Sequence, residues 1–146
     1  MPLREQLNAE VKTAMKAREK FRLATLRMIT AMVKQFEVDK RQEPTDEDVL
    51  TMMIKAAKQR RESIDAAEKY GRTEMAENEK AELAIIGEFL PKQLTEDELV
   101  VLIEKAIADT GAASKKDMGK VMGILSSQVK GKSDGKLVAK LVSDRL

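Results

Sequence analysis

The sequence contains no cysteine, no histidine and no tryptophan. Without cysteine it has no disulfide framework, no cysteine-based zinc site and no thiol nucleophile. Without histidine it has no imidazole base, which excludes the Ser-His-Asp and Cys-His catalytic arrangements. The remaining acid–base groups are carboxylates, lysines and one tyrosine, and they serve few reaction classes. No pair or cluster of acids stands out, so we predict no catalytic residues, no metal site and no cofactor.

Long apolar runs are also missing. None approaches the roughly 20 residues that a membrane-spanning helix needs. The first six residues already include charges and lack the apolar segment of a signal peptide. The lack of cysteine is compatible with a reducing compartment. From these features we expect a soluble cytoplasmic protein with no membrane partner.

The net charge of +2 averages over regions of opposite sign. Segment 12–34 has seven basic residues against one acid, and segment 114–146 has eight against three. Between them, segment 93–113 has five acids against one lysine. This separation favours a polar partner, but solvated helix faces with no partner vary in the same way.

Apolar residues recur at helical spacing along the chain, and strand signals are missing, so the predicted fold class is all-α. The first four helices are predicted at about 3–17, 21–40, 46–70 and 73–90. Thr45 and Thr73 are the expected caps of the third and fourth helices, and Gly71 the left-handed residue between them. Three shorter helices follow. One ends at Gly111, one is capped by Ser114 and closed by Gly131, and the last is capped by Ser133.

The clearest boundary lies at Pro91, which cannot continue a helix. Thr95 and Glu98 then have the spacing of a capping box. Glycine usage shifts here too, since five of the seven glycines lie in the last 36 residues. We therefore predict two helical subdomains: a long-helix N-terminal unit, residues 1–92, and a compact three-helix C-terminal unit, residues 93–146.

Gly119 and Gly123 are four residues apart, so they share one face of a predicted helix. Each costs about 1 kcal/mol of helix stability relative to alanine. Close approach of another helix, or of a ligand backbone, would offset that cost. Of the two interpretations, tight packing against another helix of the small bundle is the one that the sequence favours.

Segment 129–136 is a turn rich in glycine and lysine between the last two helices. Its glycines permit close backbone approach, and the start of the last helix presents N–H groups at the positive end of the helix dipole. Gly131-Lys132-Ser133 resembles the end of a Walker A loop. However, Ser126 stands where the leading glycine is required and no strand precedes the turn, so we reject a nucleotide-binding P-loop. Phosphate binding and a plain solvated turn remain the two interpretations.

Several arginines interrupt or flank the apolar stripes of the long helices. Arg60 and Arg61 occupy positions in the third helix where the stripe should continue. Arginine can bury its aliphatic stem and pair with acids of neighbouring helices. We predict such interhelical ion pairs here, and the same for Arg22 and Arg27 in the second helix.

Five sequence runs occur in the order found in one protein family: 22–28, 58–64, 89–94, 116–123 and 130–136. In these runs the chain resembles the YqeY-like members of the GatB/YqeY domain family, over nearly its whole length. The resemblance implies an all-helical protein with two subdomains. Its C-terminal part is similar to the tail of the B subunit of the tRNA-dependent Asp/Glu amidotransferase. In that enzyme the tail helps to bind tRNA, while other domains convert mischarged Asp- or Glu-tRNA to the Asn or Gln form.

We therefore expect a non-catalytic helical module that binds tRNA. With so few aromatic residues, recognition is expected through backbone and shape rather than base stacking. One alternative is a protein–protein adaptor that docks on an aminoacyl-tRNA synthetase or an amidotransferase. Another is the family label, a carbon–nitrogen ligase with glutamine as amido donor, which is not expected of a chain without the catalytic domains. The residues predicted to contact RNA are Lys115, Lys116, Lys120, Lys130, Gly131, Lys132, Gly135 and Lys136.

Overall fold

A computed structural model describes residues 2–146 of the chain, and these form seven α-helices and one short 3₁₀ turn. The first four helices are α1, Leu3–Ala17; α2, Lys20–Lys40; α3, Asp46–Lys69; and α4, Thr73–Gly87. The last three are α5, Glu96–Thr110; α6, Met118–Val129; and α7, Gly135–Arg145, with the 3₁₀ turn at Lys115–Asp117. No strand occurs among these residues, so the predicted all-α fold is confirmed. Nor is any helix in this part of the chain both long enough and apolar enough to span a bilayer.

The chain divides into two compact units, one ending at Leu90 and the other running from Pro91 to Leu146. The boundary predicted from the sequence lies two residues later, between residues 92 and 93. In the N-terminal unit α1 packs on α2, α3 packs along α4, and α2 contacts both α3 and α4. Apolar side chains that are almost fully shielded from solvent fill the space between them. The largest of these are Leu7, Leu26, Ile29, Met53 and Ile86.

The C-terminal unit is a three-helix arrangement in which α5, α6 and α7 each pack against the other two. One face of each helix is apolar and turned inward, at the spacing that the sequence pattern predicts. This unit has a buried cluster of its own, separate from that of the N-terminal unit. Its largest members are Leu99, Ile103, Val121, Leu125 and Val138.

Four of the predicted helix ends are confirmed. The Thr45 hydroxyl accepts from the Asp48 N–H at 3.1 Å, while the Asp48 carboxylate accepts from the Thr45 N–H at 2.9 Å. Thr95 forms the same reciprocal box with Glu98. Gly71 and Gly111 both adopt the left-handed conformation, with φ of 68° and 66°. A glycine ends a helix there at low cost because it has no Cβ.

Three other predicted caps are wrong. Thr73 is the first residue of α4 and not its cap, and α4 ends at Gly87, three residues earlier than predicted. Ser114 precedes the 3₁₀ turn, and its side chain caps nothing. The residue that caps α7 is Asp134, not Ser133. Ser and Asp are about equally good N-caps, and α7 begins at Gly135, which puts Asp134 at the cap position.

Arg22 joins three segments of the N-terminal unit. Its guanidinium donates to Glu88 at 2.6 Å and to Glu10 at 3.0 Å. Hydrogen bonding to Glu88, and then to Glu10, raises the pKa of Arg22 above its ordinary value. The predicted interhelical ion pair of Arg22 is therefore confirmed.

Arg60 makes the second predicted ion pair, across α3 and α4. Its Nε lies 2.7 Å from Glu82 and 3.4 Å from Glu79. For Arg27 the same prediction is wrong. Arg27 is exposed, and no ion pair is found for it within residues 2–146. The five residues that separate it from Arg22 turn its side chain about 140° around the α2 axis, away from the acids that Arg22 contacts.

Candidate nucleic-acid interface

The lysines predicted to contact RNA lie at the two ends of α6. Lys115 and Lys116 belong to the 3₁₀ turn, and Lys120 to the first turn of α6; we call these three the α6-start lysines. The other three, which we call the α7-start lysines, follow the end of α6 and lead into α7. They are Lys130, Lys132 and Lys136. All six are exposed, and α6, at whose ends they lie, is 12 residues or about 18 Å long.

The turn between α6 and α7 is held by the segment that opens the C-terminal unit. Gly131 has a φ of 73°, and its carbonyl accepts from the Gln93 amide at 2.7 Å. The Leu94 N–H donates to the carbonyl of Lys132 at 2.8 Å. Gly131 is buried in this arrangement. Its left-handed conformation therefore shapes the turn. The sequence predicts that a phosphate approaches closely at Gly131, but this residue is buried.

The N-terminus of α7 already has an anionic group. One carboxylate oxygen of Asp134 accepts from the Lys136 N–H at 3.1 Å. The open anion site predicted at this helix start is thus occupied by the chain itself. Gly135 is exposed, with nothing near the position of a Cβ. Phosphates at this end of α6 would be held by lysine side chains, although Lys130 and Lys136 also have interaction partners within the chain.

The two glycines of α6 do not pack against anything. A Cβ added at Gly119 or Gly123 would meet no atom within 4 Å, and both residues are exposed. The prediction of tight packing at this face is wrong because α5 and α7 cover the opposite face, the one that carries Val121 and Leu125. The outward face of α6 instead presents mainly small side chains between the two lysine groups, beside the exposed Ile124. This small-residue strip consists of Gly119, Gly123, Ser126 and Ser127.

One further lysine belongs with these groups. Lys140 is exposed on α7, one helical turn beyond Lys136. The spacing of four residues places the two side chains on the same face, and this signal was present in the sequence. Lys140 is not among the predicted residues because the predicted site ends at the turn.

Carboxylates could hold a metal ion or pair with neighbouring arginines. Within residues 2–146, no group of three or more acidic side chains is placed to hold a metal ion. Glu79, Glu82 and Glu88 are engaged by Arg60 and Arg22. At the two ends of α6, the predicted site offers exposed lysine ammonium groups.

Comparisons with known proteins assign the chain to a family. The family model described as "Yqey-like protein" matches residues 4–146. Among curated proteins, the chain is 34% identical over 85 residues to "Altered inheritance of mitochondria protein 41, mitochondrial" of Eremothecium gossypii, an alignment covering 58% of this chain and 46% of that protein. It is 27% identical over 142 residues to the protein of the same name from Pyrenophora tritici-repentis, covering 95% and 78% respectively. The alignment thus spans about half the length of the first relative and most of the second. Because the family model covers nearly all of the described helices, the chain belongs to the YqeY-like protein family.

Proposed function

We propose that the protein is a non-catalytic helical module that binds tRNA and is linked to the tRNA-dependent amidation of aminoacyl-tRNA. The observation that carries the proposal is the outward face of α6, where two groups of three exposed lysines flank the small-residue strip. Ammonium groups at the two ends of a helix about 18 Å long are suited to contact separate phosphates of one folded RNA. The small side chains of this strip let the backbone of that RNA lie close to the helix, beside the exposed Ile124.

The composition of the C-terminal unit supports recognition through phosphates. No aromatic residue occurs between Pro91 and Leu146, so this unit has no aromatic side chain on which a base could stack. Contacts to phosphate and sugar position an RNA without reading its sequence. We therefore infer that this surface recognises the shape of a folded RNA. The link to amidation rests on the resemblance of this unit to the amidotransferase tail.

The proposal is tested by changing Lys130, Lys132 and Lys136 together to Ala. We expect the slope of log K against log salt for tRNA binding to shrink by roughly 0.7–0.9 for each phosphate that the variant no longer neutralises. Affinity should fall equally for all tRNAs, because phosphate contacts carry no sequence information. Filter binding or fluorescence anisotropy across a salt series measures both quantities.

The matched control removes three exposed lysines of α3, namely Lys55, Lys58 and Lys69. It changes net charge by the same amount at a surface outside the proposed interface. An unchanged slope in the folded triple variant, or an equal loss in the control, would contradict the assignment of the site. Failure of the wild type to bind tRNA at low salt would contradict the function itself.

A second prediction concerns catalysis. The purified chain should neither hydrolyse glutamine nor amidate mischarged tRNA, because its 146 residues include no cysteine and no histidine. Ammonia release and amidation of mischarged tRNA measure the two activities. The control is the same assay on a complete amidotransferase. If an activity above the buffer blank co-purified with the chain through several columns, the proposal of a non-catalytic module would be wrong.

The adaptor function is the second candidate, and one feature of the N-terminal unit favours it. Tyr70 is 72% exposed and Met75 48% exposed, and both line a cavity of about 320 Å³ at one end of α3 and α4. Exposed apolar side chains beside a cavity are common at protein-binding sites. A synthetase or amidotransferase captured from lysate, retained after nuclease treatment and lost in the Tyr70→Ser/Met75→Ser variant would favour the adaptor over the RNA-binding module.

The sequence and the names of the relatives point to different cellular compartments. The sequence predicts the cytoplasm, whereas both relatives carry "mitochondrial" in their names. We propose the cytoplasmic site for this chain. Fractionation of its own host cells tests this, and recovery of the protein with mitochondria would contradict it.

A further inference from the structure

A groove of about 300 Å³ lies between α1 and α2 of the N-terminal unit. Its size is at the lower end of the range for small-molecule sites. α1 contributes Arg4 and Asn8 to its walls, and α2 contributes Arg27, Thr30 and Lys34. Among residues 2–146, none of those that line the groove is acidic.

The charges in the groove are only partly compensated. Arg4 pairs with Glu37 of α2. Arg27 and Lys34 are exposed, and the part of the chain that the structure describes provides neither with an ion-pair partner. Two positive charges are thus left without a counter-charge at the mouth of the groove. An anion bound at the mouth of the groove would be attracted by both charges.

The polar groups of the groove are mainly hydrogen-bond donors. The Thr30 hydroxyl donates to the carbonyl of Arg27 at 3.0 Å and is therefore occupied. What remains is the Arg27 guanidinium, the Lys34 ammonium and the Asn8 amide. A guanidinium binds phosphate through two parallel N–H bonds, and an ammonium adds a point charge. This donor set matches phosphate oxygens.

The basic residues of α2 extend beyond the groove in a regular row. Lys20, Arg27 and Lys34 are seven residues apart, which keeps them on one face of the helix. The row covers about 21 Å from first to last. Arg41, seven residues after Lys34, follows directly at the helix end, and all four are exposed. A single phosphate cannot reach more than one or two of these side chains.

We propose that the groove between α1 and α2, with the basic row that continues it, is a binding site for linked phosphate groups. The RNA backbone is the source that the length of the row favours, and this identification rests on the proposed function. A small molecule with several phosphates is the other source of the same chemistry. The evidence for the site is the groove, its hydrogen-bond donors and its unpaired charges. These belong to the N-terminal unit and are independent of the lysine groups of the C-terminal unit.

An anionic membrane surface does not suit this face. Amphipathic helices that bind membranes insert an apolar face beside their basic residues. Most of the apolar face of α2 is instead buried, with Leu26, Ile29 and Val33 almost inaccessible to solvent. The exposed Phe21 and Val38 lie near opposite ends of the helix and form no continuous apolar patch. Between Arg27 and Lys34 the face carries Thr30 and Ala31, which are too small to anchor in lipid.

The first experiment titrates sodium tripolyphosphate into the labelled protein and follows amide signals by NMR. We expect saturable shifts at the Asn8 side-chain amide and at the backbone of Thr30 and Ala31, and their loss in Arg27→Ala/Lys34→Ala. Ala31→Leu fills the groove without changing charge and should weaken the same shifts. Shifts that are absent, or that persist in both variants, would overturn the site.

The second experiment measures tRNA binding by the same variants across a salt series. Arg27→Ala/Lys34→Ala should reduce the magnitude of the slope of log K against log salt by roughly 1.4–1.8, because two phosphates account for 0.7–0.9 each. Lys55→Ala/Lys58→Ala is the control of equal charge in the same unit. Binding to phosphatidylserine vesicles that needs Arg27 and Lys34, with no tRNA binding, would overturn the proposal in favour of a membrane.

The two proposals fail in different ways. One result is that only the Lys130, Lys132 and Lys136 triple variant reduces the salt dependence of tRNA binding, while tripolyphosphate causes no shifts in the wild type. The groove proposal would then be wrong and the proposed function would stand. Tripolyphosphate shifts in a wild type that binds no tRNA support the groove for a small phosphorylated molecule and overturn the proposed function. Reduced tRNA affinity in both sets of variants supports both.

Discussion

Leu125→Ala is expected to destabilise the C-terminal unit by about 3 kcal/mol, because it opens a cavity at a site with no solvent exposure. A unit of this size buries only a modest apolar area, so a loss of that magnitude takes most of its stability. Hydrogen exchange should therefore show lower protection in α5, α6 and α7, with little change in α1 to α4. Limited proteolysis should cleave near Lys92 more readily than in the wild type.

Leu26→Ala is the matched variant in the N-terminal unit. Leu26 is equally inaccessible, and its truncation should affect α1 to α4 and spare α5 to α7. Each unit has its own cluster of buried side chains, which is the reason to expect two separate effects. If either variant lowered protection uniformly from Leu3 to Arg145, the chain would be a single cooperative unit and the prediction would be wrong.

Replacing Gly119 and Gly123 by Ala is expected to raise the stability of the C-terminal unit by up to about 2 kcal/mol. Nothing lies within 4 Å of either Cβ position, so the added methyl groups clash with nothing and the helix gains propensity. The effect of Gly119 is the smaller because it lies in the first turn of α6. Thermal or urea unfolding measures the gain.

The same two positions test whether the small-residue strip approaches RNA. Gln favours the helix almost as much as Ala but extends far from it. Gly119→Gln/Gly123→Gln should thus be as stable as the alanine variant yet bind tRNA more weakly. Equal tRNA affinity of the glutamine variant and the wild type would show that nothing docks on this face.

Much of the helical architecture follows from local chemistry. Thr45 and Thr95 have an acid three residues later, and both capping boxes form as predicted. Gly71 and Gly111 end their helices because a left-handed residue is needed there, and glycine adopts it most easily. These interactions reach only a few residues along the chain. They are visible in the sequence because they depend on nothing that lies further away.

The N-cap of α7 does not follow from local sequence in the same way. Ser133 and Asp134 are both good N-caps, and only the position at which α7 begins selects Asp134. That position depends on the Gly131 turn, which is held by hydrogen bonds from Gln93 and Leu94. A partner almost 40 residues away in the sequence thus decided which side chain faces the helix end.

What the sequence determined by itself is the helical class, the approximate helix bounds and the presence of basic segments, since spacing and charge are properties of the chain. Only the tertiary structure decided which charges remain available. Arg22 and Arg27 are alike in sequence, but α1 and the segment after α4 bring acids to Arg22 and leave Arg27 without one. In the same way, α5 and α7 cover one face of α6 and leave Gly119 and Gly123 open. The physical reason is that pairing and burial depend on which helix faces meet, and that is decided by packing between residues far apart in the chain.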